Sequence, residues 1–363
     1  MSSKRPLLAF LPLVFLCMAA FSQTARPVVA SLPSDPLELA TGSTMLLNTP
    51  ENRTTVLGLL ERARQSVSEL YAPGGPAFSL KVSFTASGQS SYTGSGEMEE
   101  IRYNRELWRW SARLGNYSQL RIFQNGVPYD EKTPGPIPLR IQMVRGTVIW
   151  PMLRIRPGAA MRMAAGKWNG MDLMCALLSA DDRPTNAPGR EWQEREYCVD
   201  TKAGLLRIYS EAPGIYVTYD YSDAAQFHGR ILARNISVSE EGTPVLQIHV
   251  DSLQDPGSPD PAKFTPTKEM IEHGPGIVLR APIRFTDLAP SPSGYAGTVL
   301  PVIVHAAIDN DGKVVEAEAL QNSEPNLSNA ALTVVKRATY AARNEGLPLQ
   351  REAFIEVAFG AAQ

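Results

Sequence analysis

Residues 78–87 read FSLKVSFTAS, and four apolar side chains, Phe78, Leu80, Val82 and Phe84, fall on every second position. In an extended chain alternate side chains point to opposite faces, so this stretch forms a strand with one apolar and one wet face. The same beat returns in GEMEEIRYN, LWRWSAR, SQLRIFQNG, EWQEREYCVD, GLLRIYSEA, IYVTYDYS, GRILARNISVS and PVLQIHVDSL. Glycines and polar turns separate these runs at intervals typical of an antiparallel meander. Upstream, TTVLGLLERARQSVSEL at 54–70 places Val56, Leu59, Leu60, Ala63, Val67 and Leu70 at three- and four-residue steps. That is the stripe of an amphipathic helix able to cover a sheet, with Thr54 or Thr55 as its cap. PIPLRIQMVRGTVIW at 136–150 fits either period, and its first half is expected to be a short helix crossing the sheet.

The chain has 363 residues, long enough for two domains behind a processed leader. With 35 Lys and Arg against 37 Asp and Glu it lacks the basic field that gathers nucleic acid, so no nucleic-acid partner is expected. MSSKRPLLAFLPLVFLCMAAFSQ sets Lys4 and Arg5 before an apolar run that ends in small residues. Residues 1–22 are therefore expected to be a signal peptide cut after Ser22, with the mature protein in the periplasm. The alternative is an uncleaved anchor in the inner membrane. Bulky Leu16 ahead of Cys17 argues against a lipidation site. Residues 23–50 show no period and read as an extended lead-in. Cys175 and Cys198 remain, an even count in an exported chain, and a disulfide is expected, worth roughly 3 kcal/mol in the chain-entropy model. The alternative is a pair of buried free thiols.

Residues 256–294 are proline-rich and read as a semi-rigid linker, with GIVLRAPIRF as one extra strand inside it. Beyond it the pattern tightens to a strand at 298–308, a turn at 309–312, a strand at 313–321, a helix at 326–337 and a strand at 351–360. The centre of this ββαβ unit is IDNDGKVVEAEAL at 308–320. A helix-flanked calcium loop starting at Asp309 needs ligands at its fifth and twelfth positions, where Lys313 and Leu320 stand. The β-branched flanks instead make Asp309 to Gly312 a hairpin turn, with Asn310, Asp311 and Gly312 as the residues that accept positive φ.

His228, His249, His273 and His305 are scattered, without the paired spacing of a zinc cradle, and His249 and His305 read as satisfied or exposed strand residues. No nucleophile elbow, P-loop or dinucleotide fingerprint is present, so neither catalysis nor a cofactor or metal is expected. Glu97, Glu99 and Glu100 read as solvated residues of a strand face. In LWRWSARLGNYSQLRIF at 107–123, Trp108 and Trp110 share one face and Arg109 takes the other, giving an apolar lining opposed to a wet surface. That lining is either sealed core or an open groove for acyl chains.

The last 65 or so residues resemble the TonB C-terminal domain of energy transducers: the strand ending IDNDGKV, then Ser323, Leu327 and Asn329-Ala330-Ala331-Leu332 opening a helix, a following GLP, and a final EVAF strand. Ala338-Thr339-Tyr340-Ala341-Ala342 stands where that family carries an aromatic and a proline. Residues 51–255 resemble the LolA/LolB lipoprotein carriers, through their strand-rich architecture and Cys198-Val199-Asp200 followed by Gly204-Leu205-Leu206. Together the resemblances imply an α+β protein, an antiparallel half-barrel sheet with a covering helix followed by a small ββαβ TonB-like domain at 295–363. The LolA/LolB likeness implies a groove lined by Phe84, Trp108, Trp110, Phe123 and Tyr219. The TonB likeness implies a non-enzymatic envelope protein that binds an outer-membrane or envelope partner by strand addition along Arg351 to Phe359, with Phe354, Ile355, Val357 and Phe359 as partner-binding residues. The other expectation is a lipid or lipoprotein carrier, with possible membrane association, in which the C-terminal unit only docks.

Overall fold

The computed structural model describes residues 40–67, 70, 74–179, 190–292, 295, 300–321, 324–340 and 348–360. The expected leader at 1–22 and most of the lead-in lie outside them. Among the described residues the chain is mixed α and β, mostly sheet, with few helices. The large sheet is built from β1 (Thr41–Leu46), β2 (Phe78–Ala86), β3 (Gly94–Arg102), β4 (Trp108–Leu114), β5 (Tyr117–Gln124), β6 (Val127–Lys132), β7 (Met161–Trp168), β8 (Met171–Ser179), β9 (Glu194–Asp200), β10 (Leu206–Ser210) and β11 (Ile215–Asp220). A small hairpin, β12 (Ala225–Phe227) with β13 (Arg230–Leu232), stands apart from it, and β14 (Asn235–Glu240) and β15 (Thr243–Gln254) complete it. The spatial order is β1-β7-β8-β9-β10-β11-β14-β15-β2-β3-β4-β5-β6, with every pairing antiparallel.

β1 corrects the lead-in: Thr41–Leu46 pairs with β7 across Thr41↔Lys167 and Leu46↔Met163. Helix α1 (Pro50–Val67) starts earlier than its apolar stripe suggested. Its cap is Thr49, whose hydroxyl accepts the Asn52 N–H at 3.2 Å, while Thr54 and Thr55 donate back to Pro50 and Glu51 carbonyls inside the helix. Val56, Leu60, Ala63 and Val67 of α1 join the main core with Phe78, Leu80 and Val82 of β2. On the other face Cys175 and Cys198, directly opposed on β8 and β9, form a disulfide among Ala164, Leu173, Ile208 and Tyr216.

The stretch between the sheets is docked. The Tyr103 hydroxyl donates to the Pro256 carbonyl at 3.2 Å, and Phe264, in a 3-10 turn over Pro261–Phe264, packs edge-on to Tyr103. A short helix α3 (Lys268–Glu272) follows, capped by Thr267. Then β16 (Val278–Pro290) runs parallel to the last strand as an edge of a second sheet, whose other members are β17 (Leu300–Ile308), β18 (Val314–Gln321) and β19 (Leu349–Gly360) in the order β16-β19-β17-β18. Its register slips between Arg280 and Ile283, so the donorless Pro282 sits in an edge-strand irregularity where proline is tolerated. Helix α4 (Pro325–Arg337) covers one face of this sheet, packing Leu327, Ala331 and Val335 against Val302, Val304, Ile355 and Val357. The opposite face turns Ile303, Ala307, Leu320 and Phe354 into the core of the large sheet.

The turn at 309–312 is a hairpin, as its flanks required. The Asp309 carboxylate accepts the backbone N–H groups of Asp311 and Lys313 at 2.9 Å each, so its oxygen is spent on its own turn. Of residues 310–312 only Gly312 takes positive φ, at 79°, which corrects the expectation for Asn310 and Asp311.

β19 is hydrogen-bonded on both sides, parallel to β16 through Phe354↔Arg284 and antiparallel to β17 through Phe354↔His305. Phe354, Ile355, Val357 and Phe359 are all buried. A strand with two partners has no free edge, so strand addition at Arg351 to Phe359 finds no open edge in this fold; the neighbour is the extra strand expected in GIVLRAPIRF, now placed beside β19.

Candidate functional site

Helix α2 (Leu139–Ile149) fills the space between the two sheets, longer than the half-segment expected. Ten of its eleven residues are buried, which is why LRIQMVRGTVI shows no amphipathic period: a helix packed all round has no wet stripe. Its N-terminus is held by the second sheet. The Leu139 N–H donates to Glu316 Oε2 at 2.8 Å, and Gln350 exchanges two hydrogen bonds with the Ile137 backbone at 2.9 and 2.6 Å. An anion at the first turn also complements the helix dipole.

At the next position Arg140 is fully buried and bridges the sheets. Its guanidinium donates to Glu240 of β14 at 2.7 Å, to Glu318 of β18 at 2.8 and 2.7 Å, and to the Ser87 carbonyl at 3.2 Å. His305 of β17 extends the cluster: Nε2 lies 2.8 Å from Glu352 Oε1, Nδ1 lies 3.5 Å from Glu318, and the ring stacks on Phe354. Glu240, His305 and Glu318 bring ligand-type atoms together as a metal site would, but the Arg140 fork already occupies both carboxylates. The sulfurs near Glu196 are consumed by the disulfide.

Burial works against charge on His305, yet Glu318 and Glu352 outweigh it and lift the imidazole to about 10. Burial, then the Glu318 charge, pushes the Glu240 carboxyl up; Glu318 is buried too, but His305 and Arg140 hold it down. An unfolded histidine titrates near 6.5, so His305 contributes stability that is complete below about pH 6.5 and is lost as pH rises through 10. Glu240, also raised, has the same sign, and Glu318 is silent there because its window lies in acid. The melting temperature is expected to fall between pH 6.5 and 9.5, and His305→Gln to flatten that slope. Equal slopes in the two proteins, followed by calorimetry, would refute the assignment.

Beside this seam lies a cavity of about 410 Å³ with a mainly apolar wall. α2 contributes Met143, Gly146 and Thr147, with Trp150 as its C-cap; the large sheet adds Tyr197, Ile215, Val217 and Val238; the second sheet closes it with Leu279, Pro282 and Phe354. Trp150 and Leu153, 44% and 45% exposed, carry the wall out to solvent. Three charged residues line it: Arg145, Glu211 and Glu352. Glu211 is tied behind the wall to Arg195 at 2.7 Å and Arg284 at 2.8 Å and accepts from the Tyr209 hydroxyl. Burial acts against its charge, but Arg284 and Arg195 keep its carboxyl below the usual range. Arg145 lies over Trp150 at 4.6 Å and Trp110 at 5.4 Å and pairs with Glu100 at 3.3 and 3.4 Å.

None of the five expected groove residues lines this cavity. Phe84, Trp110 and Tyr219 are sealed core, Tyr219 donating to the Thr147 carbonyl at 3.3 Å, while half-buried Trp108 and Phe123 stack on each other at 5.4 Å. Phe354, expected to meet a partner, lines it instead. Glu100 corrects the solvated reading of Glu97, Glu99 and Glu100: it is fully buried, whereas Glu97 is exposed. Its parity with Met98 was the available signal, since both fall on the inward face of β3. Arg140 had no comparable signal, because its partners lie 100 and 178 positions away.

Comparison with known proteins finds only distant folds. No family model matches the chain, and no curated protein does. Among solved structures, a domain described as outer-membrane lipoprotein-sorting from Vibrio parahaemolyticus is 10% identical, covering 58% of this chain and 97% of its own, at TM-score 0.36. A LolA superfamily protein of Nitrosomonas europaea is 11% identical over 58% and 97%, at TM-score 0.35. MucB is 12% identical over 61% and 65%, at TM-score 0.25. Scores this low transfer neither fold nor function to this chain.

Proposed function

We propose that this protein is a non-enzymatic envelope carrier that shelters one apolar chain, of the acyl kind, in the cavity between α2 and the two sheets. The observation that carries the reading is the cavity itself: about 410 Å³ behind a mainly apolar wall, within the roughly 300–1,000 Å³ span of small-molecule sites. Exposed Trp150 and Leu153 at its rim support entry from a surface that presents acyl chains. The Thr147 hydroxyl is spent on the Met143 and Val144 carbonyls at 2.9 and 3.1 Å, which suits a wall more than a nucleophile. An apolar run behind Lys4 and Arg5 supports export to the periplasm. The C-terminal sheet enters this reading as a wall, through Leu279 and Phe354, rather than as a strand donor.

A fluorescent fatty acid should bind with one site per chain. Val217→Trp, which fills the cavity from β11, should weaken that binding at least about tenfold while the far-ultraviolet circular dichroism is kept. Undetectable uptake by the wild type, or uptake untouched in the filled variant, would remove the carrier reading.

A further inference from the structure

The loop that leaves α2, WPMLRIR at 150–156, divides its side chains between core and solvent. Pro151 and Met152 are buried and hold it down, whereas Trp150, Leu153, Arg154 and Arg156 are exposed. Helix α1 braces its far end, where Arg53 donates to the Pro157 and Ala159 carbonyls at 2.6 Å each. Further along the same helix, Arg64, and more weakly Arg154, hold the Glu61 carboxyl below its usual range, which sets Arg154 beside α1. Glu61 is already engaged, since Arg64 grips both of its oxygens at 2.8 and 2.7 Å. Together α1 and the loop carry Arg53, Arg62, Arg64, Arg154 and Arg156 against Glu51 and Glu61, a positive excess in a chain whose formal charge is −2. Two exposed apolar side chains three residues apart therefore stand among arginines at the cavity mouth.

We propose that this loop, with the adjoining side of α1, docks the protein on an anionic lipid bilayer. Trp150 and Leu153 enter the headgroup layer and the arginines lie against lipid phosphates. Indole settles at the boundary between headgroups and acyl chains, and arginine buries its stem while its charge stays wet. The contact is peripheral, because no helix among the described residues is long and apolar enough to cross a membrane. Lipid fits this face better than a protein partner does, since Trp150 and Leu153 also belong to the cavity wall and docking would bring that mouth onto acyl chains. The docking stands on the loop itself; only its purpose, loading or emptying the cavity, rests on the carrier reading above.

Vesicle co-sedimentation of the full chain is the test. Binding to phosphatidylethanolamine vesicles containing phosphatidylglycerol should exceed binding to phosphatidylcholine vesicles by roughly tenfold or more, each arginine near an anionic surface being worth about fivefold. It should weaken as salt rises from about 0.1 to about 0.5 M. Arg154→Glu combined with Arg156→Glu should bring the two vesicle types level while fatty-acid uptake in vesicle-free solution is kept, since neither arginine lines the cavity. Brominated phosphatidylglycerol should quench part of the tryptophan emission, and Trp150→Phe should remove that part. Residues 1–22 hold no tryptophan, so the quenching reports the loop rather than the N-terminal apolar run. No binding or equal binding by the wild type, a preference that survives the double reversal, or quenching unchanged in Trp150→Phe would overturn the docking proposal and leave the carrier reading standing. Docking as expected with no fatty-acid uptake would uphold the membrane contact and remove the carrier reading.

Discussion

Arg140→Met should lower the unfolding free energy by roughly 3–5 kcal/mol, the range seen when one partner of a buried ion pair is removed. Methionine is close in length, favours helix and fills the space, so the loss measures charge rather than a void. Without the guanidinium, Glu240 and Glu318 face each other between the sheets with His305 as the remaining base named there. Two buried carboxylates then either repel or take up protons, and the deficit is expected to shrink as pH falls toward the carboxylate range, where protonation neutralises them. Urea melts at neutral and acid pH measure both effects. Adding Glu240→Gln and Glu318→Gln to Arg140→Met should restore part of the loss, since amides leave no uncompensated charge. A single variant within about 1 kcal/mol of the wild type would mean that the seam holds nothing together.

Most strands of the large sheet were legible because a half-buried strand must alternate; FSLKVSFTA has that beat and β2 has that burial, whereas β1, β6, β7 and β8 were not among the runs read. The ββαβ order was legible for a related reason: α4 has one apolar stripe, and the turn at 309–312 carries glycine where φ must be positive. What stayed hidden is what packs on two sides. α2 has no stripe, and in VVEAEALQ the acids Glu316 and Glu318 share parity with Leu320, a pattern that reads as a wet face beside an apolar end. In the fold that face meets α2 and caps it, so the acids are the contact. β16 was legible only as a lone strand, GIVLRAPIRF, inside a linker; Pro282 and Pro290 read as linker yet suit an edge strand, so its pairing with β19 stayed hidden. The cavity inherits both gaps: its walls come from α2, β16 and β19, while the conspicuous aromatics Trp108, Trp110 and Phe123 pack the arm of the sheet beyond it.

Gly312→Ala is expected to cost roughly 4 kcal/mol or more, combining left-handed strain of about 1–2, overpacking of 1–3 and the hydrogen bonds lost with them. Gly312 has φ 79°, and a Cβ there would stand 1.8 Å from the Tyr340 carbonyl oxygen. That neighbour is backbone, so no side-chain rotation makes room. Moving it breaks the Tyr340 N–H to Gly312 carbonyl hydrogen bond of 2.8 Å and the Lys313↔Thr339 bridge, which together fasten the exit of α4 to the hairpin. Tyr340 also carries the Asp287 contact at 2.6 Å and packs on Phe285, both on β16, so the disturbance should spread toward the strand that walls the cavity. Gly257→Ala separates strain from collision: φ is 70° there, but nothing lies within 4 Å of the new Cβ. It should lose only the strain, about 1–2 kcal/mol. Thermal melts of the two variants side by side decide the matter, and equal losses would show that the 309–312 hairpin is not clamped by Tyr340.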